Sequence, residues 1–219
     1  VRSALAGPRL LTLVGLALVL PAGAGAQACG LAGGSGLVAA AGYARYDLGG
    51  GTSGATAGAD ATLATSVTEV QAGYRHLFLD AASDPDVGRA TVAVPVTRLA
   101  GLTVCPVAHG GLSRLSLGED AATILAGGAG VRVATRGGLG IMDATPYAEV
   151  RGLAATTTGT VFGADVDASG YSVGGALGVH LVAGAFTLRI EGAIDGFDDG
   201  LGPTPYPNQS IELGAGIRF

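Results

Sequence analysis

A chain of 219 residues with 40 Gly, 13% charged residues, no Lys and no Trp lies far from the composition of an ordinary cytosolic enzyme. A formal net charge of −5, with no basic stripe interleaved with aromatics, excludes a nucleic-acid partner. The apolar 48% is spread evenly as Ala, Val and Leu, and the one long charge-free apolar run lies at the amino end, so the body of the chain holds no spanning helix.

Arg2 and Arg9 precede that run, which extends over about eleven residues before Pro21 and a string of small side chains. Charge, apolar stretch and small residues in this order form an export signal, with cleavage expected after Ala26 or Ala28. A membrane anchor would need about twenty apolar residues. The expected division is residues 1–28 as a cleaved signal peptide and 29–219 as the mature domain.

Cys29 and Cys105 are the only cysteines, and an exported chain meets an oxidising compartment, so one disulfide is expected. A lipidated Cys29 is the alternative, but "GAQA" before it lacks the large aliphatic residue of such sites.

From Cys29 onward, apolar side chains recur with period two and never with a sustained period of 3.6. Strands are expected near 36–47, 52–62, 67–79, 88–97, 102–114, 121–135, 141–154, 169–182, 186–195 and 210–219. In the third, Val70, Ala72, Tyr74, His76 and Phe78 oppose Glu69, Gln71, Gly73 and Arg75. In the fourth, Ala90, Val92, Val94 and Val96 oppose Arg89, Thr91 and Thr97. In the seventh, Pro146, Ala148 and Val150 oppose Tyr147, Glu149 and Arg151. In the ninth, Phe186, Leu188, Ile190 and Ile194 oppose Thr187, Arg189, Glu191 and Asp195. The last sets Ile211, Leu213, Ala215, Ile217 and Phe219 against Glu212, Gly214, Gly216 and Arg218.

Alternation alone does not decide whether the apolar face points inward or outward. Residue types do. Arg45, Arg75, Arg89, Arg132, Arg151, Arg189 and Arg218 fall opposite the apolar set, beside Glu69, Glu149, Glu191 and Glu212, a balanced charge network suited to a polar interior. The apolar faces are rich in Ala, Val and Leu and poor in the bulky aromatics that fill a soluble core. The aromatics sit near strand ends, Tyr46, Tyr74 and Phe78 towards one rim and Phe186 and Phe219 towards the other, as interfacial girdles do.

Connections alternate between short (63–66, 98–101, 136–140, 183–185) and longer (80–87, 115–120, 155–168, 196–209), which sorts them into inner turns and outer loops. Ten strands put both termini on the inner side. "TSGATAGADATL" carries the least signal; without it and 36–47, an eight-stranded barrel from 67 to 219 would keep the same parity. The expected fold is an all-β, closed, antiparallel up-and-down barrel, because closure satisfies every backbone group in lipid. Inward Gly and Ala in "LAGGAGVRVA" and "SVGGALGVH" suit a narrow, strongly curved wall. Cys105, on an inward face near the inner start of its strand, and Cys29, just before the first strand on that side, are expected to bond to each other and pin the amino-terminal segment in or beneath the barrel.

With its export signal, alternating strands, "TPYAEV" and closing "IELGAGIRF", the chain resembles small Gram-negative outer-membrane β-barrel proteins, the broad family that includes OmpA-like barrels. The resemblance implies residence in the bacterial outer membrane, lipid around the wall, and a final strand ending in Phe219 that is read by the barrel-assembly machinery. It leaves activity open, because one barrel hosts many functions.

Chemistry-bearing residues are few. His76 is expected at the outer rim on the lipid side, His109 in the lumen and His180 in the lumen near the inner end. Barrels with hydrolase activity, lipid A deacylases and omptin-like proteases, resemble this architecture and use a His with acids or Ser at the outer mouth. Here "HLF" at His76 lacks the nearby serine, and Asp80, Asp84 and Asp86 sit in "LDAASDPDVG", a turn composition. The outer acids Asp80, Asp84, Asp86, Glu119, Asp120, Asp165, Asp167, Asp198 and Asp199 would supply too few ligands as "DPD" or "FDDG" alone to hold a divalent cation. Gly-rich stretches lack the Lys of a phosphate loop. No catalytic set, metal or cofactor is expected. The expectation is a monomer with a structural or surface-interaction role, its polar lumen filled by Arg and Glu. A narrow channel for small solutes is the alternative, and a rim enzyme acting on lipid or peptide the more remote one.

Overall fold

The computed structural model describes residues 29–30, 36–49, 52–65, 67–79, 85–117, 119–161, 163–197, 204–206 and 208–219. The expected signal peptide, 1–28, lies outside them. The described chain is β throughout. In order, the strands are β1 (Gly36–Gly49), β2 (Thr52–Ala64), β3 (Glu69–Leu79), β4 (Asp86–Ala93), β5 (Thr97–Leu99), β6 (Leu102–Leu117), β7 (Asp120–Thr135), β8 (Gly137–Leu139), β9 (Met142–Val161), β10 (Ala164–Ala183), β11 (Phe186–Ile194) and β12 (Gln209–Arg218).

Every neighbour pairing is antiparallel, β9 pairs with β10, and β12 pairs with β1, so the sheet closes on itself. Ten strands make the wall. β5 and β8 are three-residue pieces that continue β4 and β7. The first break has a simple cause: Pro95 lacks an N–H, and the ladder resumes on either side of it through Val94 N to Pro106 O (3.1 Å) and Val96 N to Val104 O (3.0 Å).

Turns at one end are tight. Thr65 N donates to Thr68 O at 2.8 Å, and Ala100–Gly101, Gly140 and Gly184 take positive φ. The longer connections gather at the opposite end, which is the outer one by loop length. Both Gly36 and Arg218 open onto the tight-turn end. The expected outer loop at 155–168 is replaced by strand: β9 and β10 stay paired up to Val161 and Ala164. Each is 20 residues long, about twice what a tilted strand needs to cross hydrocarbon. The part of this hairpin above Ala154 and Tyr171 therefore projects beyond the membrane, where its outward Thr156, Thr158, Asp165, Asp167 and Ser169 face water and need not be apolar.

The two faces of the wall are chemically opposite. Outward positions such as Leu63, Val70, Val92, Leu125, Val131, Val150, Val173, Leu188 and Ile211 are exposed, whereas the inward positions include the buried Glu69, Arg75, Arg132, Glu149, Arg151 and Glu212. An apolar surface running around the whole barrel far exceeds what a water-soluble monomer presents. It is the exterior of a membrane-spanning barrel.

The interior is layered. Near the tight-turn end, Cys29, Ala93, Cys105 and Val107 form a small buried cluster. Near the outer end, Ile124, Ala126, Leu153 and Ala155 pack against Phe197 and Tyr206, which reach in from the connection between β11 and β12. Charges fill the space between. The wall is tightly curved there: a Cβ on Gly128 would sit 2.0 Å from the carbonyl oxygen of Gly152 on the next strand.

Candidate functional site

The candidate site is the lumen, assembled from inward positions of eight strands. One focus is Glu212 on β12. Its carboxylate accepts from Arg89 Nη2 at 2.7 Å and Arg189 Nη2 at 3.4 Å, and lies 3.9 Å from Arg75 Nη2. Asp60 on β2 bridges two of the same guanidiniums, Arg75 at 2.5 Å and Arg189 at 3.1 Å. β4 and β12 are separated by β1, β2 and β3 in the wall, so the contact from Arg89 to Glu212 crosses the lumen.

The second focus is Glu149 on β9. Arg132 approaches it at 2.6 Å and Arg151 at 3.3 Å, while His109 Nε2 lies 2.8 Å away but off the hydrogen-bond axis. Arg151 also pairs with Asp195 through two nitrogens. Tyr147 donates to Glu191, and the Arg132 guanidinium lies 4.5 Å from the centre of the Tyr147 ring. Tyr206 caps this focus: its ring lies 5.4 Å from the Arg151 guanidinium and 5.9 Å from the His109 ring, and its hydroxyl donates to Gly110 O at 3.0 Å.

Burying these charges singly would cost several kcal/mol each. Placing each carboxylate between guanidiniums offsets that cost, and the low dielectric strengthens each contact. The result is a cross-braced lumen with a cavity of about 40 Å³, lined by Arg75, Arg89, Arg189, His109, Tyr206 and their acid partners, and a smaller one of about 10 Å³ beside His180 and Arg189. That is room for very few water molecules.

Of the residues expected in the lumen, Glu69, Arg75, Arg89, Arg132, Glu149, Arg151, Arg189, Glu191 and Glu212 point inward and are buried or half-buried. Arg218 is inward and half-buried at the inner mouth, and makes no ion pair among the described residues. Asp60 and Tyr206 belong to the network without having been singled out for it, while Asp195, expected on the polar face of its strand, joins it through Arg151. Asp60 lies in the Gly- and Ala-rich β2, where only its parity with Thr56 and Thr62 could have pointed to it. Tyr206 sits in a connection with no periodicity to read.

At the inner end, the Cys29–Cys105 disulfide joins a residue before β1 to β6, with 6.0 Å between the two Cα atoms. Cys29 N donates to Glu69 Oε1 at 2.7 Å, and Arg132 Nη1 reaches Cys29 O at 3.5 Å. Residues 29–30 thus occupy the lumen rather than lying beneath it.

Among the aromatics expected at the rims, Tyr74 and Phe78 are exposed towards the outer end and Phe186 and Phe219 at the inner end. Tyr171, exposed on β10, joins the outer set. Tyr46 pairs in register with Ser210, and Arg45 with Ile211, but the side chains of both lie outside those described. His76 is on the exterior, its Nδ1 2.9 Å from Asp86 Oδ1, and Tyr74 donates to the same carboxylate. The next residue along this face is Phe78, edge-on to His76 at 4.9 Å, so the pair ends on an apolar ring rather than on a nucleophile. His180 is buried near the inner end, in register with Arg189 and Thr145. No three His, Cys, Asp or Glu side chains gather as a metal site among the described residues; Asp80, Asp84, Asp198 and Asp199 lie outside them.

No family model and no curated protein matches the chain. Solved structures do. The β domain of the Bordetella autotransporter BrkA aligns at 15% identity and TM-score 0.48, covering 84% of this chain and 99% of that one. Neisserial surface protein A aligns at 15% identity and TM-score 0.40, over 83% of this chain and 94% of that one. Ail, the attachment invasion locus protein of Yersinia pestis, aligns at 13% identity and TM-score 0.34, over 84% and 99%. Likeness at this level transfers no residue role. The chain's own closure, apolar exterior and charged interior make it a ten-stranded membrane-spanning β-barrel.

Proposed function

We propose that the protein is exported, loses residues 1–28, and stands in the bacterial outer membrane as a monomer with a structural or surface-interaction role and a lumen closed to solute flow. One observation carries this reading: the lumen is spanned by ion pairs between non-adjacent strands, with Tyr206 and Phe197 above them and the Cys29–Cys105 disulfide below. A general pore needs a continuous water column, and a cavity of about 40 Å³ does not supply one.

The exposed apolar wall is the surface for outer-membrane lipid, and the closing strand with Phe219 is the feature offered to the barrel-assembly machinery. The projecting β9–β10 hairpin, with Asp165 and Asp167, and the acids Asp86, Glu119 and Asp120 make the outward face acidic, the place where a partner would meet the protein. No enzymatic role is proposed, because among the described residues His76 meets Asp86 and Phe78, and the lumen carboxylates are held between guanidiniums. Planar-bilayer recording with refolded protein tests the closed lumen. The expected trace shows no steady open steps, whereas ohmic conductance in the unmodified protein would favour the narrow-channel reading.

A further inference from the structure

The amino-terminal residue pair at the inner mouth has more built around it than a disulfide tether requires. Cys29 is fully buried, and its backbone nitrogen lies 2.7 Å from a carboxylate oxygen of Glu69, itself 2% exposed. Its carbonyl faces Arg132, and its sulfur is bonded to Cys105 among Ala93 and Val107. Gly30 is seated just as closely. It holds φ at +86°, and a Cβ there would fall 2.7 Å from Tyr147 Cδ1. The lumen is thus shaped around these two residues, with an anion aimed at the nitrogen of the first.

The residues immediately before that nitrogen are Ala26, Gln27 and Ala28, which put small side chains one and three positions ahead of the Ala28–Cys29 bond, as signal peptidase requires. We propose that the signal is cut at this bond, and that the Cys29 α-ammonium so released forms a buried ion pair with Glu69, making the mature amino terminus the inner plug of the barrel. The step is a hydrolysis: the amide C–N bond breaks, water supplies the oxygen of the new Ala28 carboxylate, and the nitrogen leaves with the protons that make it an ammonium. Replacing an amide by an ammonium at this place turns a hydrogen bond from a neutral donor to a buried carboxylate into an ion pair with both partners charged. The bonded Cys29 sulfur is not available for lipidation, so the same contact separates the two readings of Cys29.

The inference rests on the export reading, and its test separates the two. Residues 29–219 contain no Lys, so the Cys29 α-amine would be the only amine among them. Non-reducing intact mass of protein taken from outer membranes is expected to equal residues 29–219 less the hydrogens lost to the disulfide. An uncut chain overturns both the cleaved-signal reading and this inference. A chain starting at Gln27, or a diacylglyceryl-modified Cys29, leaves export standing and overturns the inference.

Labelling with a water-soluble amine-reactive ester then reads the ion pair. In the folded wild type the rate is expected to fall about tenfold or more below that of the heat-unfolded chain, because burial and pairing withhold the neutral amine. Glu69→Gln, checked for folding by heat-modifiable migration, is expected to restore much of that rate. Fast labelling of the folded wild type, or equal protection in wild type and folded Glu69→Gln, overturns the ion pair. If Glu69→Gln does not fold, Glu69→Asp, with a shorter carboxylate, is expected to label at an intermediate rate, and wild-type protection there overturns it as well.

Discussion

Arg89 on β4 reaches across the lumen to Glu212 on β12, at 2.7 Å, over three intervening strands. The two residues are 123 positions apart in sequence. Their contact ties the last strand to the fourth through the interior rather than along the wall, and the same carboxylate serves Arg189 and lies near Arg75. Glu212→Gln keeps the shape and removes the charge that these cations share. Breaking a buried pair from one side costs about 3–5 kcal/mol. The temperature at which the barrel loses its heat-modifiable migration is expected to fall well below wild type, and more than for Arg218→Gln, whose parent makes no described ion pair. Equal transitions for the two variants would show that the cross-braces carry no stability.

The outer cap depends on Tyr206, 3% exposed, held by the Arg151 guanidinium below and by Gly110 O at its hydroxyl. Removing a buried aromatic ring costs about 3–5 kcal/mol where the site cannot collapse. Here the cost falls on the docking of one connection, not on the wall. Tyr206→Ala is expected to make the segment between β11 and β12 several-fold more sensitive to added protease in intact cells, with the barrel's heat-modifiable migration kept. Unchanged cleavage would mean that the cap is held by something other than this ring.

Phe219 is exposed at the inner rim, and the Arg218 N–H donates to Ala185 O at 2.7 Å, so the chain's last ring adds little to packing. Deleting it is expected to leave the unfolding transition of detergent-refolded protein within about 0.5 kcal/mol of wild type, as for other surface changes. The amount assembled in cells is expected to drop several-fold. Equal assembly in cells would remove the role given to this ring.

Much of this was legible in the chain, for reasons that vary by residue. Glu69, Arg75, Arg89, Arg189 and Glu212 stand in strands where apolar neighbours alternate with them, and parity alone assigns their face. Parity does not assign partners: that Glu212 meets Arg89 rather than Arg132 depends on barrel closure and shear, which no local window contains. Asp60 escaped because its strand alternates only Ala against Gly, Thr and Asp, a contrast in polarity too small to stand out. Residues 155–168 were expected to be a loop because Thr, Gly and Asp replace the apolar set there. The hairpin simply continues above the membrane, where the outward face no longer needs to be greasy. Tyr206 lies in an aperiodic connection, and only the folded lumen shows what its ring covers.

The central claim is that the greasy face points out into lipid and the charged face points in. Val150 is 67% exposed in the middle of β9, between the buried Glu149 and Arg151. Urea unfolding of Val150→Arg in phosphatidylcholine vesicles tests it most directly. A lipid-facing arginine near mid-bilayer costs about 2–4 kcal/mol, so the account predicts a loss of that size relative to wild type. A Val150→Arg variant within about 0.5 kcal/mol of wild type, as at an ordinary water-exposed site, would contradict it.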